Sequence, residues 1–212
     1  MIVLDIETSG LYPEKNGIWQ IGSLDFYNPK NTFLEEARID DEDEISESAL
    51  KVTGKTEAEL RDSNKQSQKQ LIQNFFDWTK TARIKNALCQ NPNFDYSFIA
   101  QKSRKYELEV PFHYRTFDLH SFAQGKYQQQ YGKFLMREDH SDMSLSNILK
   151  FCGLDDKRII MDKGIIVQEG RPHNALEDAK LTAEAFSRLT YGKELLEEYS
   201  QYKIPVYLKN DN

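Results

Sequence analysis

Two carboxylates, Asp5 and Glu7, lie inside an otherwise aliphatic run at residues 2–7. Successive side chains of a β-strand point to opposite faces, so Asp5 and Glu7 share one face with Val3 while the aliphatic residues between them take the other. Two anions near the end of a buried strand repel each other and lose hydration unless they are protonated or face a cation. The pair therefore indicates a divalent-metal site. An edge strand whose carboxylates face water is the alternative.

Three further residues are candidates for metal or acid–base chemistry. Asp95 is predicted in the first turn of a helix that follows a strand at residues 84–89, where a solvated aspartate favoured by the helix dipole is the alternative. Asp178 lies on the edge of an apolar stripe and is predicted to face the sheet. His173 is predicted to precede the N-cap of that same helix, and a capping or packing histidine is the alternative there.

All five residues stand at the ends of predicted elements, and such ends converge on one crevice in an open sheet. Residues 17–27 and 32–39 are predicted to be strands joined by a turn at 28–31, which gives an antiparallel meander with the first strand. Residues 84–89 and 114–119 are predicted to be further strands. Helices are predicted at residues 45–52, 67–80 and 144–151. Another helix is predicted to begin at Phe94, one to follow the strand at 114–119 and extend through Phe122, and a last one to begin at Ala175.

The remaining segments are predicted from composition and turn signals. The acidic run 40–44 is expected to be a solvated loop, and residues 124–142 an exposed excursion. Residues 158–168 carry a hairpin signal. Asn93 is the expected cap of the helix that begins at Phe94, and the tail from Tyr191 is expected to be a charged helix.

Length and composition bound the class of protein. A chain of 212 residues with 39% hydrophobic residues suits one domain with a sizeable core. The first apolar run lacks the basic start of a signal peptide, and no run approaches the ~18 apolar residues of a membrane span, so we expect a cytoplasmic protein without membrane contact. The net charge of −6 argues against a protein that coats nucleic acid but leaves a nuclease open. Cys89 and Cys152 are expected to be buried rather than disulfide-bonded.

The motifs, taken in order, resemble those of the DEDDh 3′→5′ exonucleases, a family with a ribonuclease-H-like fold. The resemblance covers about residues 1–190 and implies an α/β fold in which helices flank a mixed five-stranded sheet, its first three strands antiparallel. It rests on five segments: DIETSGL at 5–11, IxxxA…VTGxTxxxL at 45–60, QNxxFD at 90–95, SL at 144–145 and HxAxxDA at 173–179.

The resemblance implies two divalent cations, Mg²⁺ or Mn²⁺, and a role for each site residue. Asp5 would bridge both cations, Glu7 and Asp178 would hold one of them, and Asp95 would support the second, partly through water. His173 would be the general base that takes the proton from the attacking water. The residues implied to cradle the terminal nucleotide are Thr8, Gly10, Leu11, Thr53 and Gly54.

Two departures from the family pattern stand out. Gln90 occupies a position where many relatives have histidine before Asn91, which puts in doubt a contact behind the metal ligands but no ligand itself. The segment 155–170 is longer than the compact family linker and lies just ahead of His173. Its hairpin is either a flap that faces the substrate or a decoration.

The predicted activity is release of nucleoside 5′-monophosphates from single-stranded DNA or RNA 3′ ends, with DNA favoured. The alternatives are a catalytically silent nucleic-acid or protein docking module of the same fold, and an oligoribonuclease-like enzyme for very short oligonucleotides. A polymerase or another nucleic-acid-processing protein is a candidate partner. Residues 1–190 would form the exonuclease domain, with 191–212 as a C-terminal helix and tail that packs on it or extends from it.

Overall fold

The computed structural model describes residues 1–162 and 165–209, and within these residues five strands form the main sheet. The strands are β1 (Ile2–Thr8), β2 (Ile18–Asp25), β3 (Asn28–Glu36), β4 (Asn86–Cys89) and β5 (His113–Asp118). Their order is β3-β2-β1-β4-β5, with β1, β2 and β3 antiparallel and with β4 parallel to both β1 and β5. This confirms the predicted mixed sheet and places β1 in its interior.

Helices cover both faces of the sheet, as predicted. The helices are α1 (Glu47–Thr53), α2 (Glu57–Leu60), α3 (Gln68–Thr79), α4 (Pro92–Tyr106), α5 (Leu119–Tyr131), α6 (Leu145–Phe151) and α7 (Ala175–Tyr191). The alternation along β1 separates two cores. Val3 packs with α6 and α7 in one core, while Ile2 and Leu4 pack with α3 and α4 in the other.

Local capping groups fix the ends of α1, α2 and α7. α1 ends at Gly54, whose φ of 66° lies in the left-handed region that favours glycine. Thr56 and Glu59 form the capping box of α2. The Asn174 side chain accepts from the backbone N–H groups of Leu176 and Glu177 and so caps α7.

The predicted turn at residues 28–31 is wrong, because β3 already begins at Asn28. The chain reverses one step earlier, at Phe26 and Tyr27. There the Asp25 carboxylate accepts hydrogen bonds from the amino terminus at 2.8 Å and from the Tyr27 N–H at 3.1 Å. The turn therefore forms directly after Asp25, whose side chain also contacts residue 1, and not at the Asn-Pro pair that follows.

Residues 125–142 are exposed or half-buried, as predicted, but they form regular structure, since helix α5 continues to Tyr131 and a small hairpin of β6 (Met136–Arg137) and β7 (His140–Ser141) follows. Gln124 ties this segment down by donating to the Leu135 carbonyl at 2.8 Å. The prediction of a helical tail is wrong. The tail after Tyr191 does not continue as a helix, since Gly192 ends α7 at φ 64° and short 3₁₀ turns follow.

The acidic run 40–44 forms a loop, but its prediction as solvated fails for Asp43. The Asp43 carboxylate is buried and pairs with the buried Lys102 ammonium at 2.7 Å. The predicted cap of α4 is also displaced, since Asn91 precedes the helix and Pro92 is its first residue. Proline suits that position because its missing N–H has no helical partner there.

The hairpin signal at 158–168 is confirmed by β8 (Ile160–Asp162) and β9 (Ile165–Gln168), although its turn at residues 163 and 164 lies outside the described residues. Both cysteines are buried, as expected. In the described part of the chain, no helix combines the length and the apolar character that crossing a membrane requires.

Candidate active site

A cavity of about 1020 Å³ opens at the ends of β1 and β4, and the predicted metal-binding and acid–base residues line it. Its lining includes the four carboxylates and the histidine: Asp5, Glu7, Asp95, His173 and Asp178. Each comes from the expected place. β1 supplies the first pair, the first turn of α4 supplies the next aspartate, and the loop and first turn of α7 supply the last two.

A close approach of α7 to β2 places Asp178 beside β1. A Cβ on Gly22 would lie 2.1 Å from the backbone of Ala175, so glycine is required for the helix to pack this closely on the sheet. The Gln20 side chain accepts from the Ala175 N–H at 2.8 Å and fixes the first turn of the helix. Neither residue carries a signal in sequence alone, because both act through a partner about 150 positions away.

Glu7, His173 and Asp178 form a compact group, and among the residues the structure describes their potential ligand atoms lie within 4.8 Å of one another. Asp178 Oδ2 lies 3.3 Å from His173 Nδ1. Asp178 Oδ1 is buried and makes no hydrogen bond within the described protein. A buried carboxylate oxygen without a partner is unfavourable unless a cation meets it, so the carboxylates of Glu7 and Asp178 fit a divalent metal that would lie beside His173.

Three carboxyl groups of the site have raised pKa values, because they are buried and several carboxylates lie close together. Burial, followed by the charge of Asp178, raises the pKa of Glu7 to about 8. Burial raises the pKa of Asp95 to about 7. Burial and the neighbouring carboxylates of Asp178 and Asp95 raise the pKa of Asp5 well above its usual range. The site therefore holds protons at a pH where isolated carboxyls have lost them, and added positive charge would release them.

His173 bridges Asp178 and the chain that leads into β8. Its Nε2 lies 2.8 Å from the carbonyl oxygen of Ile159, and because a carbonyl only accepts, Nε2 carries the hydrogen. Burial alone would lower the pKa of His173, but the hydrogen bond and charge of Asp178 outweigh it and raise that pKa. Both ring nitrogens therefore have partners in this conformation.

Arg158 is the site residue that sequence reasoning missed. Its guanidinium lies in the cavity lining and donates from Nη1 to Asp178 Oδ2 at 2.8 Å. Asp156 holds the other edge of the same guanidinium. The available signal was an arginine at the start of the hairpin next to the histidine loop. Nothing in its spacing indicated a contact 20 positions along the chain.

The residues predicted to cradle a nucleotide are placed around the mouth of the cavity. Thr8, Gly10, Leu11 and Thr53 line it, whereas Gly54 lies outside the lining. The hydroxyls are engaged within the protein, since Thr8 donates to the Gly10 carbonyl at 2.6 Å and Thr53 to the Ala49 carbonyl at 2.8 Å. Leu11 is 69% exposed, so it offers an apolar surface beside the carboxylates. Their role in binding substrate stays a prediction.

The two departures from the family pattern also lie at the cavity. Gln90 lines it and donates to the Met143 carbonyl at 3.4 Å, which ties the end of β4 to the segment before α6. The β8–β9 hairpin contributes Ile160, Met161 and Val167 to the lining. The hairpin therefore forms part of the wall of the cavity, and its contact with substrate stays a prediction.

Comparison with known protein families identifies the class of this chain. A model of the RNase T type, described as an exonuclease, matches residues 2–186. The chain belongs to this exonuclease family, which confirms the prediction from its motifs and the prediction that it is an enzyme of the exonuclease class. The family uses divalent metal ions, in keeping with the acidic site.

Among curated proteins, the chain is similar to the PolC-type DNA polymerase III of Caldanaerobacter subterraneus subsp. tengcongensis, with 27% identity over 188 residues. That match covers 89% of this chain and 11% of the polymerase. The corresponding protein of Thermotoga maritima is 26% identical over 190 residues, which is 88% of this chain and 12% of the polymerase. The chain therefore spans about an eighth or less of the length of these relatives.

Solved structures share the fold at low sequence identity. The nuclease domain of 3′hExo, a DEDDh family member solved with rAMP, has a TM-score of 0.61 and 19% identity, and the match covers 96% of this chain and 94% of that domain. Exonuclease I of E. coli in complex with a dT13 oligonucleotide has a TM-score of 0.64 and 15% identity, covering 88% of this chain and 40% of the other. These likenesses confirm the predicted ribonuclease-H-like fold.

Proposed function

We propose that the protein is a metal-dependent 3′→5′ exonuclease that hydrolyses phosphodiester bonds at single-stranded 3′ ends and releases nucleoside 5′-monophosphates. One observation carries the proposal. Buried Glu7 and Asp178 stand with His173 at an open cavity, and one Asp178 oxygen has no hydrogen-bond partner among the residues that the structure describes. A docking module that had lost catalysis would gain nothing from keeping carboxylates in so unfavourable a place.

Four carboxylates would hold two divalent cations, Mg²⁺ or Mn²⁺. Glu7 and Asp178 would hold one, Asp95 would support the other, and Asp5 on the same strand face as Glu7 would contact both. When bound, divalent cations lower the pKa of the attacking water and neutralise the charge that builds up on the phosphate and the leaving oxygen. The raised pKa values of Glu7 and Asp95 imply that cation binding releases protons.

His173 would act as the general base. The water oxygen would attack phosphorus, the bond from phosphorus to the 3′ oxygen would break, and the water proton would pass to His173. The leaving 3′ oxygen would take a proton from solvent, and His173 would then return its proton to solvent. Because Nε2 donates to the Ile159 carbonyl and Nδ1 faces Asp178, one of these contacts must open before the ring accepts a proton. The position of the loop that carries Ile159 thus matters for the rate.

Single-stranded DNA is the favoured substrate class. Similarity to PolC-type DNA polymerases supports it, as does the dT13 oligonucleotide bound to a protein of the same fold. Thr8, Gly10, Leu11, Thr53 and Gly54 are the proposed contacts to the terminal nucleotide, and exposed Leu11 offers a face for its base. A polymerase is a candidate partner on the same grounds.

We further propose that residues 1–190 form the catalytic domain and that 191–212 are an extension of it. Supporting contacts run from the end of α7 to the tail. Glu184 accepts from the backbone N–H groups of Leu195 and Leu196, and Tyr199 packs against the core that contains Val3.

A length series of 5′-labelled DNA and RNA, incubated with Mg²⁺ or Mn²⁺, tests the activity. The expected result is a ladder that shortens from the 3′ end, with single-stranded DNA cut faster than RNA and with no ladder from Asp178→Asn. Cleavage confined to oligonucleotides of a few residues would favour an oligoribonuclease-like enzyme. Substrate binding without any shortening in either metal would favour a docking module.

A further inference from the structure

Arg158 is fixed in the metal site by contacts on both edges of its guanidinium. On one edge, Nε and Nη2 donate to the two oxygens of Asp156 at 2.9 and 2.7 Å. On the other edge, Nη1 donates to Asp178 Oδ2 at 2.8 Å. Ser146 donates to Asp156 at 2.6 Å, which holds the anchoring carboxylate itself. The side chain is 10% exposed, so its charge is close to fully removed from water.

The carboxylate that Arg158 contacts is the one shared by the proposed metal site. Asp178 offers an oxygen to the group with Glu7 and His173. A divalent cation that approaches this group meets the positive guanidinium within the same low-dielectric cavity, and like charges there repel strongly. Arg158 on Oδ2 and a metal ion on the free Oδ1 of Asp178 would therefore weaken each other's contact with this carboxylate.

Asp156 allows a metal ion to replace Arg158 on Asp178 without unfolding of the hairpin. The guanidinium keeps a bidentate partner in Asp156 when Asp178 is released, so its charge is not left unpaired. The backbone around it is closely packed. A Cβ on Gly170 would lie 2.5 Å from the Arg158 carbonyl oxygen, and Gln168 donates to that same carbonyl at 3.0 Å. Release of Asp178 therefore requires only the Arg158 side chain to move, while its backbone stays in place.

We propose that Arg158 is a positioning residue of the active site, a built-in cation that holds Asp178 and competes with the divalent metal for it. The inference rests on the proposed metal site and adds a residue that sets how tightly the site binds metal. Replacing Arg158 by a neutral side chain should strengthen metal binding rather than weaken it. A merely structural arginine would have the opposite effect or none.

Calorimetric titration with Mn²⁺ alone measures the competition. Arg158→Gln is expected to bind Mn²⁺ about tenfold more tightly than wild type, the scale of one hydrogen bond to a charged group. Arg137→Gln is the matched control, because Arg137 lines the same cavity but pairs with Asp162 on the hairpin, and its affinity should equal that of wild type. Unchanged or weaker binding by Arg158→Gln overturns the inference.

Thermal unfolding supplies a second measurement. In EDTA, Arg158→Gln should melt below wild type because buried Asp156 and Asp178 lose a partner, whereas the rise on adding Mn²⁺ should exceed that of wild type. An equal or smaller rise contradicts the inference. If Arg158→Gln does not fold, Arg158→Lys takes its place. Lysine lacks the planar two-edged guanidinium that holds Asp156 and Asp178 together, and the Mn²⁺ affinity of this variant should exceed that of wild type.

These outcomes separate the inference from the proposed function. If wild type binds Mn²⁺ and Asp178→Asn does not, the metal site stands, and the Arg158 variants alone decide the competition. If wild type binds no Mn²⁺ at all, the proposed function fails first.

Discussion

Two buried clusters of charged side chains in this molecule differ in whether their carboxylates find partners within the protein. Around Asp43, one carboxylate meets one ammonium, and every carboxylate oxygen is used. Oδ1 accepts from Lys102 at 2.7 Å, and Oδ2 accepts from the Gln68 side chain at 2.8 Å and the Asp40 N–H at 3.0 Å. Around Asp178, four carboxylates converge on a cavity and one buried oxygen has no hydrogen-bond partner in the described protein.

The difference separates a group that stabilises the fold from one that is suited to bind a cation. Loss of either partner of a matched buried ion pair strongly destabilises the folded protein. An excess of buried carboxylate is itself unfavourable, so removing one member relieves repulsion and removes function instead.

Asp5→Asn should lower the rate of cleavage at least about a thousandfold, since bound metals contribute several kcal/mol of transition-state stabilisation. The measurement is single-turnover cleavage of a single-stranded DNA 3′ end in Mn²⁺. Asp41→Asn, an exposed change in the loop next to Asp43, should cleave at the wild-type rate. Near-normal cleavage by Asp5→Asn would sink the two-metal proposal.

His173→Ala should cut the single-turnover rate by about 10²–10⁴, the usual range for general acid–base catalysis, while Mn²⁺ affinity changes much less. In wild type, activity should fall as the pH drops through the pKa of His173, which Asp178 raises above its ordinary ~6.5. The variant should lose the part of this acid limb that belongs to His173. His140→Ala, an exposed change, is the control. A variant that keeps both the full rate and the acid limb places the base elsewhere.

Asp43→Asn should show the opposite profile. The free energy of unfolding should fall by about 3–5 kcal/mol, because the buried Lys102 charge loses its partner. Cleavage at a temperature where the variant is folded should stay within a few-fold of wild type. Urea unfolding in EDTA measures the first and the cleavage assay the second. A variant as stable as wild type would remove the contrast between the two groups.

The pH dependence of stability sharpens the contrast further. The unfolded chain releases the Glu7 proton near its ordinary pKa of 4.5, whereas the folded protein keeps it until about pH 8, so the folded state binds more protons between these values. The free energy of unfolding in EDTA should therefore fall as the pH rises across this window, by up to about 1.4 kcal/mol per pH unit for each such group. Asp95 adds to the slope between its ordinary 3.8 and about 7.

Urea titrations at several pH values measure that slope. Glu7→Gln should flatten it, because the glutamine has no proton to release. A slope of opposite sign in wild type would mean that the acidic group is stabilising when ionised.

Local pattern was enough to predict the carboxylate pair, because the two-residue period of a strand fixes the shared face of Asp5 and Glu7 whatever the rest of the chain does. The position of Asp178 facing the sheet followed from the apolar stripe of α7, and the mixed five-stranded sheet, with its first three strands antiparallel, followed from the resemblance that the motifs carry. Contacts between distant segments were beyond reach. Arg158 on Asp178, Lys102 on Asp43 and Gly22 beneath α7 depend on tertiary approach, and the turn after Asp25 depends on the amino terminus.

Thermal unfolding of wild type, Asp5→Asn and Asp43→Asn, each in EDTA and in Mn²⁺ at pH 8, distinguishes a cation-binding group around Asp178 from a structural pair around Asp43. We expect Asp5→Asn to melt at or above wild type in EDTA and to lose the stabilisation by Mn²⁺, while Asp43→Asn melts well below wild type and keeps that stabilisation. If Asp5→Asn melts as far below wild type as Asp43→Asn does, and still gains the full wild-type shift from Mn²⁺, the acidic group is a structural one and the account is wrong.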